Sequence, residues 1–325
     1  WLKTNQRVRA LPTLDLAWDA LVMVNPELGQ RVHEVSAGGS HTVLRLQDNT
    51  IRAFGQSSSC RIPVNELEGS IAQQISAGGD HSAVVLSDGS VVTFGSNSHG
   101  QCRVPDEVEG NRAVEVSCGE AHTVVRMMDG SVIGFGASSI PNLDTRAHAV
   151  SAGGAHTLVL MQDAKTVRAF GENTHGQCNV PSDRLRGRAV RGISAGRAHS
   201  VLLLTDGTVE AFGDNSSGQC NVPTGQLAGR RVEQISAGYD HTVLRCTDGQ
   251  VVAFGSNAYG QCSVPSQAVA GRRVEEASAG GYHTVLRFTD GEIACFGSDE
   301  DDQCTMPDNL GEEGYSAPDC PCVVM

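Results

Sequence analysis

Apolar and polar positions along the chain fall into short runs separated by glycine and by small polar residues. Val232 to Ser236, His241 to Cys246 and Gln250 to Phe254 are typical: short, rich in Val, Leu, Ile and Thr, and bounded by glycine. Such runs predict β-strands. The second and third are joined by Asp248-Gly249, and Asp-Gly is the pair that a two-residue type I′ hairpin favours, because both of its positions need positive φ. Asp88-Gly89, Asp129-Gly130, Asp206-Gly207 and Asp290-Gly291 repeat the signal, and Asp48-Asn49 is a variant of it. Asp163-Ala164-Lys165 adds a residue and predicts a wider turn.

The same pattern returns seven times. Ser-x-Gly-x-x-His places its histidines at His41, His81, His122, His156, His199, His241 and His283, at intervals of 40, 41, 34, 43, 42 and 42. In step with them run Phe54, Phe94, Phe135, Phe170, Phe212, Phe254 and Phe296, each followed by glycine. A third series is proline, from Pro63 to Pro307. A unit of about 42 residues with three or four short antiparallel strands cannot bury both of its faces alone, whereas sheets stacked radially cover one another and leave few open edges. A linear solenoid would need atypical polar caps, yet the seventh unit reads as complete. The prediction is therefore an all-β, closed seven-bladed propeller over residues 31–307, flanked by an extension at 1–30 and a tail at 308–325. Three strands per blade are expected, with a weak fourth segment at Gln-Cys-x-Val-Pro.

The formal net charge of -13 opposes binding to phosphate backbones, which relies on clustered Lys and Arg, so nucleic acid is not an expected partner. No apolar run approaches the roughly 18 residues of a membrane-spanning helix. Eleven cysteines are an odd number, which cannot pair completely within one chain, and the composition leans towards a reducing compartment without naming one. The chain begins at Trp1 without an initiator Met or a signal-peptide pattern, as a processed or truncated form would.

Ser236-Ala237-Gly238-Tyr239-Asp240-His241-Thr242, Asp248-Gly249-Gln250-Val251-Val252-Ala253-Phe254-Gly255 and Asn257-Ala258-Tyr259-Gly260-Gln261 together resemble the regulator of chromosome condensation-type repeat. The resemblance runs over about residues 31 to 307, with a period closest to compact members of the family that have three-stranded blades. It implies a propeller. Family members that act as exchange factors for small GTPases use loop insertions at the rim, whereas the units here are of nearly minimal length. The family's plant ultraviolet-B photoreceptor uses clustered tryptophans, and here the only two are Trp1 and Trp18, outside the repeats.

Histidines at one repeat position stand about a sheet spacing, ~10 Å, apart. They cannot converge on one metal ion, whose ligand distances are about 2 Å. Each is expected to bond backbone groups of its own or the next blade, as a buried ring N–H must find a partner. The repeated Cys60, Cys102, Cys178, Cys220, Cys262 and Cys304 are by the same geometry too far apart between blades for disulfides, and they read as small buried side chains, as does Cys246. The seven phenylalanines read as packing between blades.

Function is then sought where the repeat is broken. The variable pair in Gly-x-x-His carries Arg197, Tyr239 and Tyr282 in three consecutive units, and Tyr and Arg dominate interface hot spots. Together with Tyr259 they form the candidate partner-contact patch. A loop set expected on the opposite face presents Ser98-His99, Thr174-His175, Ser216-Ser217, Ala258-Tyr259 and the acidic Asp299-Glu300-Asp301-Asp302. Repeat three omits Asn-x-x-Gly-Gln-Cys after Phe135-Gly136, which predicts a notch in the rim between blades three and four. Residues 1 to 23 fit an amphipathic helix or an added strand, and Val24-Asn25-Pro26 resembles the tail of a preceding unit. Cys322-Val323-Val324-Met325 fits a prenylation box if Met325 is the true end, with Cys320 as a second lipid site, although the upstream segment is acidic. No nucleophile elbow or phosphate loop is present, so neither catalysis, a cofactor nor a small-molecule substrate is expected. The expected role is a protein-interaction scaffold within a larger assembly; the alternatives are a regulator of a small GTPase and a proteinaceous enzyme inhibitor.

Overall fold

The computed structural model describes residues 31–305 apart from Ser57 and Ser139. The 1–30 extension, Pro307, Cys320 and Cys322 lie outside the described residues. Within them the chain forms seven sheets, each of three antiparallel strands in sequence order. In blade six these are an inner strand Val232–Ala237, a middle strand His241–Cys246 and an outer strand Val251–Gly255. No fourth strand forms in any blade among the described residues. The Gln-Cys-x-Val-Pro segment runs as turns, ending in blades one and six on the one-turn helices Val64–Leu67 and Ser266–Val269.

The middle strands are buried along almost their whole length because both faces are covered, and in their apolar stretches Leu158, Val159 and Leu160 are all fully buried. Alternate residues point to opposite neighbours. Val43 packs with Ile75, Val84 and Phe94 of blade two, while Leu44 and Phe54 pack with Val285 and Cys295 of blade seven. The core is thus a ring of interblade seams, and the repeated phenylalanine closes each from the outer strand. Burying one Val, Leu or Phe contributes about 1.5–3 kcal/mol, so stability is spread evenly around the ring.

Three sets of polar bonds fasten every seam, and they account for the repeated motif. The serine of Ser-x-Gly accepts the backbone N–H of the next inner strand, as Ala237 N to Ser194 Oγ at 2.9 Å, and the ring closes the same way from Ala37 N to Ser278 Oγ. Immediately after the glycine, a ring of backbone bonds links each loop to the next blade, from Gly39 N to Gly78 O at 2.8 Å round to Gly281 N to Gly38 O at 2.8 Å. Glycine is required there: a Cβ on Gly238 would lie 2.4 Å from Gly280 O and 2.4 Å from the His241 ring.

The histidine bonds the next blade, but through a side chain rather than the backbone. Each Nε2 meets the Ser or Thr that follows the next histidine, as His199 with Thr242 at 2.9 Å and His283 with Thr42 at 3.0 Å. In five seams that hydroxyl donates in turn to a tail carbonyl, as Thr242 Oγ1 to Gln219 O at 2.9 Å. A hydroxyl has one proton, so there it accepts from the imidazole and the ring carries its hydrogen on Nε2. The backbone is unavailable to the histidine because its own ladders already use it.

The Asp-Gly turns differ from the type I′ expectation. Only the glycine has positive φ, +83° at Gly249. Gly249 N bonds Cys246 O and Cys246 N bonds Gln250 O, so the loop has three residues, a type I turn ending in a bulge. The aspartate earns its place through Oδ1, which accepts Gln250 N at 3.0 Å. Asp163-Ala164-Lys165 makes the wider turn, with Ala164 at φ +53°.

Candidate interaction face

The Gly-x-x-His loops and the Asn-x-x-Gly tails lie on one face of the ring, contrary to the expectation of opposite faces. The outer strand ends beside the start of the middle strand, with Gly255 paired to His241, and the tail then leaves over the loop, as Ser256 N bonds Asp240 O at 2.7 Å. The Asp-Gly turns occupy the other face. Variable residues of two loop sets therefore share one surface.

On it the four candidate contact residues touch in series. The Tyr239 and Tyr282 rings meet edge to face with centroids 5.5 Å apart, Tyr259 meets Tyr282 at 5.2 Å, and the Arg197 guanidinium stands 5.6 Å from the Tyr239 ring centre. Such pairs contribute about 0.5–1.5 kcal/mol each beyond area burial. The tyrosines are half-buried and Arg197 is exposed. Tyr239 leans over the loop of blade seven towards blade one: a Cβ on Gly281 would lie 3.1 Å from its ring and one on Gly39 2.7 Å from its hydroxyl. It lies over a central cavity of about 180 Å³ lined by the repeated Ser-Ala-Gly. Burial, together with the nearby Glu120 and Asp80 carboxylates, holds the Tyr239 phenol well above its ordinary pKa, so it remains a neutral hydrogen-bonding group. Arg197 reaches Glu120 of blade three at 3.9 Å, a half-exposed pair worth little by itself.

The regulator of chromosome condensation (RCC1) repeat model matches residues 72–101, 147–177, 190–219 and 232–261. The chain is an RCC1-like repeat propeller. A comparison with curated proteins gave no match. Among solved structures, the yeast RCC1 (Prp20) bound to Kap60 is similar with a TM-score of 0.64 and 15% identity, over 92% of this chain and 87% of that one. The ectodomain of the Physcomitrella patens receptor kinase CR4 gives 0.67 and 17%, over 83% and 74%, and human WBSCR16 gives 0.64 and 16%, over 84% and 88%. At these identities the likeness is one of fold.

Within the RCC1-like ring the cysteines depart from expectation in two ways: one is disulfide-bonded, and four are half-buried rather than buried. Cys304 is bonded to Cys295 of its own repeat, with Cα atoms 5.3 Å apart. The distance argument holds between blades, but here the partner sits on the outer strand, where the other repeats have Ala, Thr or Gly. Cys102, Cys178, Cys220 and Cys262 are half-buried, and each thiol donates to the carbonyl six residues earlier, as Cys262 Sγ to Ser256 O at 3.2 Å. Burial pushes Cys102 and Cys220 up to about 11 and Cys262 to about 12, so they stay protonated at neutral pH. Cys246 is a fully buried free thiol.

The acidic run of repeat seven is partly structural. Asp299 Oδ1 accepts Cys304 N at 2.7 Å, the bond that Asn257 Oδ1 makes with Cys262 N in repeat six, while Glu300, Asp301 and Asp302 are exposed. Among the described residues no group of three or more His, Cys, Asp or Glu side chains is placed to hold a metal ion.

The notch of repeat three is present on the same face, as a cavity of about 510 Å³ lined by tail residues of blade two and loop residues of blades three and four. Its acidic walls, Asp80, Glu120 and Glu172, were not singled out from the sequence. Their signal was available in the variable pairs Gly79-Asp80 and Glu120-Ala121, but acidic residues on loops usually only face solvent.

Proposed function

We propose that this RCC1-like propeller is a non-catalytic protein-interaction platform that engages its partner through the loop face, with Tyr239, Tyr259 and Tyr282 as anchors and Arg197 at their edge. One observation carries the reading: three tyrosines and an arginine from blades five to seven form a continuous contact series, on a scaffold whose other loop positions are mostly small or acidic. Rigid aromatic side chains supply contact area at low entropic cost, and Tyr and Arg are the types enriched at hot spots. Proteins of similar fold bind proteins: yeast RCC1 (Prp20) binds Kap60, and Prp20p of Saccharomyces cerevisiae binds Gsp1p and histones.

The test is capture of partners on the immobilised full chain, with wild type, Tyr259→Ala and Tyr282→Ala compared by quantitative mass spectrometry. A specific partner should fall about tenfold or more with each variant, the loss expected of a hot-spot residue, while melting temperatures stay within a few degrees. Equal capture by all three proteins, at unchanged stability, would reject the patch. A nucleotide-release assay on a panel of small GTPases separates this reading from an exchange factor, since a platform leaves the release rate unchanged.

A further inference from the structure

The notch between blades three and four lies where other seams hold the tail of the preceding repeat. In three of the five seams with a complete tail, its glutamine backbone rests in the cradle of the next blade's glycine: a Cβ on Gly136, Gly213 or Gly255 would meet Gln101, Gln177 or Gln219 Cα at 3.1 to 3.2 Å. The same glutamine's carbonyl accepts the following Ser or Thr hydroxyl, as Gln101 O from Thr123 and Gln177 O from Ser200. Repeat three has no such tail. Gly171, the corresponding cradle, has no glutamine backbone to meet and lines the cavity.

Thr157 is the hydroxyl that this missing carbonyl would serve. It is fully buried, is bonded to His122 Nε2 at 3.0 Å, and makes no second hydrogen bond among the described residues. Repeat one also has a shortened tail, yet there Ser59 and Cys60 are fully buried and fill the gap. Repeat three compensates only beneath the cavity, where Gly134 on the outer strand makes room for Ile140, whose Cγ1 would lie 2.8 Å from a Cβ at that position. The upper layer stays open. Around it stand three carboxylates, of which Asp80 makes no ion pair among the described residues, and Glu120 shows with Arg197 that a guanidinium is welcome at this mouth.

We propose that this socket receives a basic turn segment of a partner polypeptide. The partner's backbone occupies the Gly171 cradle and supplies a carbonyl to Thr157, and its Lys or Arg side chain pairs with Asp80, Glu120 and Glu172. The blade is thereby completed in trans. This inference rests on the reading that the loop face binds protein and adds the chemistry of what is bound at its acidic end. The open cradle calls for backbone, whose carbonyl would take up the Thr157 hydroxyl as tail carbonyls do in five other seams, and the carboxylates call for positive charge. A free cation would satisfy the second demand alone.

Two labelled peptides test it on the full chain by fluorescence polarisation: acetyl-Asn-Lys-Arg-Gly-Gln-Ser-Asn-Val-amide, and the same sequence with Glu-Glu in place of Lys-Arg. The basic peptide should bind about tenfold or more tighter than the acidic one, an ordinary range for removing paired charge. Glu120→Gln with Glu172→Gln should erase most of that difference. Inserting Asn-Ser-Ser-Gly-Gln-Cys after Ala137, which fills the socket in cis, should abolish binding of both peptides. Arg186→Ala, on an exposed loop away from the site, serves as the control. A flat titration, equal affinity for the two peptides, or undiminished binding by the filled variant would overturn the socket. If tyrosine-dependent partner capture persists in that event, the platform reading survives without it.

Discussion

The seam between blades five and six and the seam between blades three and four carry the same inner fastening and differ in their outer layer. Both have the serine bond, Ala237 N to Ser194 Oγ and Ala152 N to Ser117 Oγ, each at 2.9 Å. Both have the loop bond, Arg197 N to Gly238 O at 3.2 Å and Glu120 N to Gly153 O at 3.1 Å, and the histidine-to-hydroxyl contact, at 2.9 and 3.0 Å. Only the first adds a tail whose carbonyl completes the hydroxyl. The inner fastening therefore closes the ring without the tail, and the tail is free to be lost or altered. A repeat protein can open a site by deleting outer polypeptide while its core stays joined.

Acidification tests the part both seams share and should have the largest effect. Burial lowers His41, His122, His156 and His241 to about 4 and His81, His199 and His283 to about 3, all from 6.5. The folded values lie below the unfolded one, so the unfolded chain takes up protons first as pH falls. Stability from these residues is full above about pH 6.5 and is lost as pH drops towards 4 and then 3. At pH 5 each buried histidine costs about 2 kcal/mol on this basis. Circular-dichroism melts from pH 7.5 to 5 should show a steep fall in melting temperature, and a flat profile would mean that the rings are not held neutral by burial.

Gly238→Ala attacks the shared fastening at one seam. Its Cβ would overlap Gly280 O, which is itself held by Tyr239 N, so the neighbouring blade has to move, and a loss of about 3 kcal/mol is expected in denaturant titration. A loss under about 1 kcal/mol would show that the blades are looser than their bonds suggest. The smallest effect separates the two seams. Thr242→Val strands both His199 Nε2 and Gln219 O, whereas Thr157→Val strands His122 alone. At about 1.5 kcal/mol per buried group left unpaired, the expected losses are about 3 and about 1.5 kcal/mol. Equal losses would mean that the tail bond contributes nothing and that the two seams are alike.

Much of this architecture was legible in the sequence because each repeated residue does the same work seven times. Ser236, Gly238, His241 and Thr242 recur since every seam needs the same bonds, and Phe254 recurs since every seam needs the same filler. Turn type was harder to read, because Asp-Gly serves a two-residue and a three-residue loop equally well and the choice depends on strand register. The Cys295–Cys304 bond was missed because comparison between repeats hid a pairing within one. The side on which the tails lie was also misjudged, since the strand count had to be fixed at three before the exit of the outer strand could be placed.

Sequence by itself determined the ring, the period of its blades, the missing tail of repeat three and the identity of the residues that break the pattern, all of which are matters of local order along the chain. Tertiary structure alone decided that Arg197, Tyr239, Tyr259 and Tyr282 touch, that Asp80, Glu120 and Glu172 surround one cavity, and that Thr157 meets His122 without the tail carbonyl its counterparts have. Those facts depend on which residues distant in sequence the closing of the ring brings within a few ångströms of one another, and a repeat pattern read along the chain does not contain that distance.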